Sequence, residues 1–259
     1  MRHPFYFPDR IHYGSPADAG LAFESVHFQS KDDTLLHGWL IAAESGLNKA
    51  RGTVLHCHGN AQNMSAHWPY AAWLTARDYN VLCFDYRGFG QSHGQADEEG
   101  IFDDTIAALD YLRTRQNTRS DLSALPLYVF GQSLGGMLAI AASAASPKSI
   151  SAVAAEAPAY DYSTWAEDLL PAQNHAFDDR FCASHHIRNL TSIPLLLLHS
   201  PEDRVVPYTH SVQLLAEANT TKQLITIEGG THNDAMTDRH GTLYQDLLVD
   251  FFEKHRPAR

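Results

Sequence analysis

The chain has 259 residues, 44% of them hydrophobic, which is ample material for the core of one large α/β domain. Acidic residues outnumber basic ones 30 to 19, and the resulting formal charge of −11 repels phosphate backbones, so nucleic acid is not expected as a partner. Cys57, Cys83 and Cys182 stand far apart with no CxxC pair, and an odd count argues against a disulfide framework. The N-terminal MRHPFYFPDRIHYGSP has neither the apolar centre of a signal peptide nor a membrane-spanning run. The chain is therefore read as soluble and cytoplasmic, with membrane contact left open should an anchor have been removed.

Apolar runs of strand length alternate with stretches of helical period, the pattern of a mostly parallel sheet covered by helices. Ala22–Gln29 and Leu35–Ala42, separated by Lys31-Asp32-Asp33, predict an antiparallel edge hairpin. Thr53–His58 is the next strand, followed by a helix over Met64–Arg77 and a strand over Val81–Tyr86. Glu98–Arg115 carries Ile101, Thr105, Ala108 and Leu112 on one stripe and reads as a helix. Leu127–Gly131 is a central strand, Leu134–Ala145 a helix of small residues, and Ile150–Ala157 a further strand. Pro158–Ser192 breaks the rhythm and promises only short helical pieces. Pro194–Ser200 then resumes the sheet, followed by a helix over Ser211–Ala218, a strand over Gln223–Glu228 and a last helix over Thr242–His255. The expectation is a single domain of about eight strands spanning residues 1–259, with a short cap or crossover insertion at about 158–193.

Sites in open α/β sheets lie beyond the carboxyl ends of strands, which directs attention to the residues just after each one. Gly131-Gln132-Ser133-Leu134-Gly135 is a G-x-S-x-G motif between an apolar strand and a helix, the context in which a tight turn lifts a serine hydroxyl above a sheet. A serine hydroxyl alone is a poor nucleophile and needs a base. Among 16 histidines, His232 stands out because it follows the last strand through Gly229-Gly230-Thr231, whereas His240 and His255 lie later. The acid expected to orient it is Asp203, after Pro194–Ser200. Adjacent Glu202 and the more remote Asp161 are its rivals. An oxyanion would need two fixed backbone N–H donors: Leu134, and Asn60 or Ala61 in the loop after Thr53–His58.

The segments HGNAQNMS, FDYRGFGQSHG, GQSLGG, SPEDRVVP and GGTHND together resemble the Bem46-like branch of the α/β-hydrolases, with the serine aminopeptidase and monoacylglycerol lipase groups as more distant relatives. The resemblance runs from about Leu21 to Phe252 and implies an eight-stranded α/β-hydrolase fold with Ser133, Asp203 and His232 as a catalytic triad. Many members of that branch carry an N-terminal membrane anchor, and this sequence departs from them there.

The function expected is cofactor-free hydrolysis of a small-molecule carboxylic ester or thioester through an acyl-enzyme. A serine aminopeptidase is the alternative, with Asp161, Glu167 or Asp168 to hold the substrate's amine, and a non-catalytic scaffold is the alternative of another class. Dehalogenase chemistry would want Asp at position 133. Trp165, Leu169, Leu170 and Phe177 are candidates to line a shallow acyl groove, with simple packing of the crossover as the competing reading. His56 and His58 share one strand face without an evident third ligand, and His185-His186 is similarly isolated, so no metal site is expected. Asp85 and Arg87 are expected to pin a loop. No G-x-G-x-x-G or P-loop occurs.

Overall fold

The structure, a computed structural model, describes residues 5–118, 125–169 (the side chain of Leu169 excepted) and 176–258. They fall into two compact units that divide after Tyr128.

The first unit holds β1 (Phe7–Pro8), β2 (Phe23–Gln29), β3 (Leu35–Ile41), β4 (Gly52–Cys57), β5 (Ala61–Gln62) and β6 (Tyr79–Phe84). β2 and β3 form the expected antiparallel hairpin, β3 continues antiparallel onto β6, and β6 pairs parallel with β4. Burial follows this order. β4 and β6 are buried at every position, as strands covered on both faces must be, whereas edge strand β2 buries only Val26 and Phe28 in alternation. No apolar pattern announces β1 and β5, a two-residue parallel pair that brings Phe7 opposite Ala61.

The helix expected over Met64–Arg77 is broken into α1 (Met64–His67), α2 (Pro69–Ala72) and a 3-10 turn over Trp73–Arg77. Pro69 supplies no N–H to the preceding turn and its ring obstructs a continuous helix, while Asn63 caps α1 by accepting from Ser65 N–H at 2.9 Å. α3 (Glu98–Thr118) is longer than predicted.

Asp85 and Arg87 pin the segment after β6. Asp85 Oδ1 accepts from Met64 N–H at 2.7 Å, and the bend at Gly90 (φ +46°) runs so close to that carboxylate that a Cβ there would lie 2.1 Å from Oδ2. Arg87 reaches from Asp104 on α3 (2.8 Å) to Asp32 in the hairpin turn (2.9 Å), with Ser30 Oγ at 3.1 Å. Asp104 has no exposed side-chain area. Burial pushes its pKa up, and the hydrogen bonds and charge of Arg87 pull against that rise.

The second unit contains β7 (Leu127–Gln132, which begins just before the division), α4 (Leu134–Ala145), β8 (Ile150–Glu156), α5 (Tyr162–Leu169), α6 (Ala183–His186), β9 (Leu195–His199), α7 (Thr209–Glu217), β10 (Lys222–Thr226) and α8 (Leu243–Lys254). Its strand order is β10-β9-β8-β7, with β9 parallel to both β8 and β10. α4 is buried from Leu134 to Ala144, which its small side chains permit. As expected, the described residues of the segment after β8 form short helical pieces: α5, α6 and 3-10 turns at Asp179–Phe181 and Ile187–Asn189. Among the described residues no helix is long and apolar enough to cross a membrane.

Removing the cation that compensates a buried carboxylate costs about 3–5 kcal/mol. Arg87→Leu is therefore expected to shift the chemical unfolding midpoint down by that equivalent, since Asp104 stays behind unpaired. A loss below about 1 kcal/mol, as for an exposed pair, would show that water reaches Asp104.

Candidate active site

Ser133 sits between β7 and α4 with φ +57° and ψ −122°, a conformation disfavoured for a residue with a side chain, and it is 3% exposed. Its N–H donates to Glu156 O at 2.9 Å and its carbonyl accepts from Met137 N–H at 3.1 Å. The turn is tight enough to dictate glycine at 131, where a Cβ would lie 2.1 Å from Gly135 O. The first N–H groups of a helix have no intrahelical partner, so Leu134 presents a donor and the positive end of the α4 dipole beside the serine.

The loop after β9 carries Asp203, whose side chain has no exposed area. Oδ1 accepts from Val205 and Val206 N–H at 2.8 and 3.0 Å, and Oδ2 faces His232 Nδ1 at 2.7 Å and His199 Nε2 at 3.2 Å. Burial alone would raise the Asp203 pKa, but the hydrogen bonds from His199 and His232, the attraction of His232 and the backbone bond from Val205 outweigh it and hold the carboxyl well below the usual carboxylate range. A carboxylate facing Nδ1 fixes the imidazole with its proton on that nitrogen and leaves Nε2 for a hydroxyl. The His232 side chain is 18% exposed, a ring reachable from solvent above a fully covered acid.

The His232 loop has no regular secondary structure, and side chains hold it. Asp234 accepts from Thr231 N–H and Oγ1, both at 2.9 Å, and Ser200 Oγ donates to Gly230 O at 2.8 Å. Asn233 adopts φ +57°.

Of the rival acids, Glu202 is exposed, and Asp161 accepts from Thr164 N–H at the start of α5 (2.8 Å). His240 pairs with Asp234 at 3.3 Å, and His255 packs on Phe251. In the first unit, Asn60 and Ala61 follow β4, and Asn60 Nδ2 donates to Phe5 O at 2.8 Å. His56 Nδ1 lies 3.6 Å from Cys83 Sγ, and His58 Nδ1 donates to Gly59 O at 2.8 Å. Among the described residues no three His, Cys, Asp or Glu side chains group as metal ligands.

The acyl-groove expectation needs correction at Trp165. This side chain is 2% exposed and its indole donates to Val205 O at 2.9 Å, so the ring anchors the crossover helix to the Asp203 loop instead of presenting a face to an open groove. Phe177 is half-buried and stacks on Tyr162 at 6.1 Å. The Leu169 side chain and all of Leu170 lie outside the described residues.

Sequence reasoning passed over His199 and Glu156, both 0% exposed. His199 Nε2 shares its hydrogen between Val206 O (2.9 Å) and Asp203, and Nδ1 faces Ser211 Oγ at 2.8 Å. Glu156 ends β8 with Oε2 accepting from Gln132 Nε2 at 2.6 Å and Oε1 from Ala235 N–H at 2.8 Å. A signal for both was available: each is a polar residue closing an otherwise apolar strand, at the end where α/β sites form.

A strained serine at a strand-to-helix turn, with a buried aspartate bonded to a histidine from the next strand's loop, defines the class: an α/β-hydrolase. Residues 48–187 match the family described as serine aminopeptidase, S33. The protein YfhR of Salmonella typhimurium is 41% identical over 98% of this chain and 89% of its own length, and protein bem46 of Schizosaccharomyces pombe is 29% identical over 98% and 85%. Among solved structures, the esterase Pf2001 of Pyrococcus furiosus superposes with a TM-score of 0.80 at 18% identity, covering 99% of this chain and 100% of that one. Est1E of Butyrivibrio proteoclasticus bound to ferulic acid gives 0.70 at 20%, covering 89% and 98%. The chain belongs to the serine aminopeptidase S33 family of α/β-hydrolases, within its Bem46-like group, and is a hydrolase.

Burial raises the Glu156 carboxyl from its ordinary 4.5 to about 7, against the opposing pull of its bonds to Ala235 and Gln132. Between those values the folded chain keeps a proton that the unfolded chain releases, so this contribution to stability is full below 4.5 and lost as pH rises through about 7. Thermal melts of the parent and Glu156→Gln across this window should show a pH-dependent decline in the parent that is flattened in the variant. Parallel curves would mean that Glu156 titrates normally.

Proposed function

We propose that this hydrolase cleaves a small-molecule carboxylic ester or thioester through an acyl-enzyme on Ser133. The observation that carries the reading is the 2.7 Å bond between Asp203 Oδ2 and His232 Nδ1, which orients the ring, together with the φ +57° turn that raises the serine beside a helix N-terminus. Ser133 Oγ attacks the carbonyl carbon while His232 Nε2 takes its proton. The tetrahedral oxyanion is met by Leu134 N–H at the start of α4. His232 then gives the proton to the leaving alcohol or thiol, and water repeats the sequence to free the acid. Asp203 keeps the ring aligned and balances its transient charge. No step calls for a cofactor.

Aminopeptidase activity is favoured by the description of the matched family. Of the carboxylates that would hold a substrate amine, Asp161 caps α5, Asp168 bonds buried His210 Nε2 at 3.0 Å, and Glu167 is exposed. The two engaged acids make the ester reading the stronger one.

Ser133→Ala should lower ester turnover by about four to six orders of magnitude with folding intact, and peptide mapping should place a fluorophosphonate adduct on Ser133. Asp203→Asn should cost about ten-thousand-fold in kcat, the scale of a lost orienting carboxylate, while Glu202→Gln leaves it near the parent value. An adduct on another serine, or the reverse order of the two acid variants, overturns the assignment.

The crossover between β8 and β9 is built of short helical pieces, and its largest aromatic side chain is committed to packing, which supports an open site for short or medium acyl chains. Measured from acetyl to palmitoyl esters, kcat/KM should peak at the short to medium end, with aminoacyl anilides cleaved more slowly. A palmitoyl optimum with activity rising as micelles form contradicts the open site, and faster anilide cleavage favours the aminopeptidase.

A further inference from the structure

Glu156 is bonded in a way that packing alone does not require. The other β8 side chains are apolar or small, and a buried carboxylate among them costs free energy that an apolar residue would not. It forms no ion pair with Lys, Arg or His among the described residues. Its three bonds run in two directions. Its backbone carbonyl takes Ser133 N–H at 2.9 Å and Oε2 takes the amide of Gln132, the residue before the serine, at 2.6 Å. Oε1 takes Ala235 N–H at 2.8 Å, three residues beyond His232 in a loop with no ladder to hold it.

Other restraints on that loop come from within it, from α8 or from the segment of the acid: Asp234 within the loop, Gln245 of α8 on Met236 O, Ser200 on Gly230, and Asp203 on the ring itself. Glu156 joins the loop by side chain to the turn that carries the serine. We propose that Glu156 is a positioning residue, a strut that sets the separation of Ser133 and His232 for proton transfer. It rests on the acyl-enzyme reading of Ser133. The length of the side chain matters because it spans two elements, and a displacement of about 1 Å between reacting groups costs about a hundred-fold in rate. The charge matters less than the reach. Glutamine keeps both the reach of the side chain and an oxygen for Ala235 N–H. Aspartate keeps the charge but falls one methylene short.

The test compares Glu156→Leu, Glu156→Asp and Glu156→Gln with the parent in the full chain, reading kcat and KM on a p-nitrophenyl ester and the rate of fluorophosphonate labelling of Ser133 per folded molecule. Leu and Asp should each lower kcat and the labelling rate by about thirty-fold or more, with KM within about twofold, and Gln should return both to within about threefold of the parent. Should the Leu variant not fold, the Asp and Gln pair decides by itself. Labelling of the Asp or Leu variant at the parental rate overturns the strut. So does a Gln variant as slow as Asp, or a loss of activity accounted for wholly by a smaller folded fraction. A parent protein that is not labelled on Ser133 fails the acyl-enzyme reading and takes the strut with it. A labelled parent with equally labelled variants fails the strut alone.

Discussion

Asp203 is a carboxylate with no exposed side-chain area, and such a group is tolerable only when its lone pairs are occupied. Four donors meet that demand, and between them they fix three pieces of chain. The N–H groups of Val205 and Val206 curl the loop after β9 back on its own carboxylate, His199 ties it to the strand end, and His232 draws in the loop after β10. The same curl places Val205 O where the indole of Trp165 bonds it, so the crossover helix α5 is docked on a loop shaped by the acid. Satisfying one buried charge thus organises three segments that are distant in sequence.

His199 shows how far the constraint reaches. A carbonyl only accepts, so the bond to Val206 O puts the hydrogen on Nε2, and the same hydrogen faces Asp203. Nδ1 faces the Ser211 hydroxyl on α7 at 2.8 Å. This histidine is buried and serves as a donor to the acid, while His232, partly exposed, meets the acid through Nδ1 and keeps Nε2 for a hydroxyl. Two histidines share one carboxylate, and burial and second partners separate their roles.

The parts of the molecule legible in the sequence were those governed by local pattern. Strand runs such as Leu195–His199 and the Ser133 turn announce themselves because burial on both faces demands continuous apolar residues and a tight turn demands glycine at 131. The break at Pro69 was also legible in principle, and the apolar spacing around it masked the proline's effect. What stayed hidden depends on long-range partners. Phe7–Pro8 becomes a strand only because Ala61–Gln62 is there to pair with it. Trp165 looked like a groove residue because composition cannot say whether an aromatic ring faces a ligand or a neighbouring carbonyl. Gln132, Glu156 and His199 each end an apolar strand, and a rule that reads polar residues at successive strand ends as one network would have found all three.

Glu156 and Asp203 are both buried, yet their surroundings push them in opposite directions. Asp203 is met by two imidazoles and two backbone amides, enough positive potential to overcome desolvation and keep it ionised. Glu156 is met by two neutral amide donors and faces the negative charge of Asp234, so desolvation prevails and its carboxyl rises to about 7. A group that must balance the charge of an imidazolium has to stay ionised, and the network around Asp203 enforces that. A group whose task is to span a fixed gap is not bound by its charge, and the environment of Glu156 leaves it free to carry a proton. On the proposed mechanism, two buried carboxylates driven apart in this way divide the labour, with ionised Asp203 serving the histidine and Glu156 holding the frame around it.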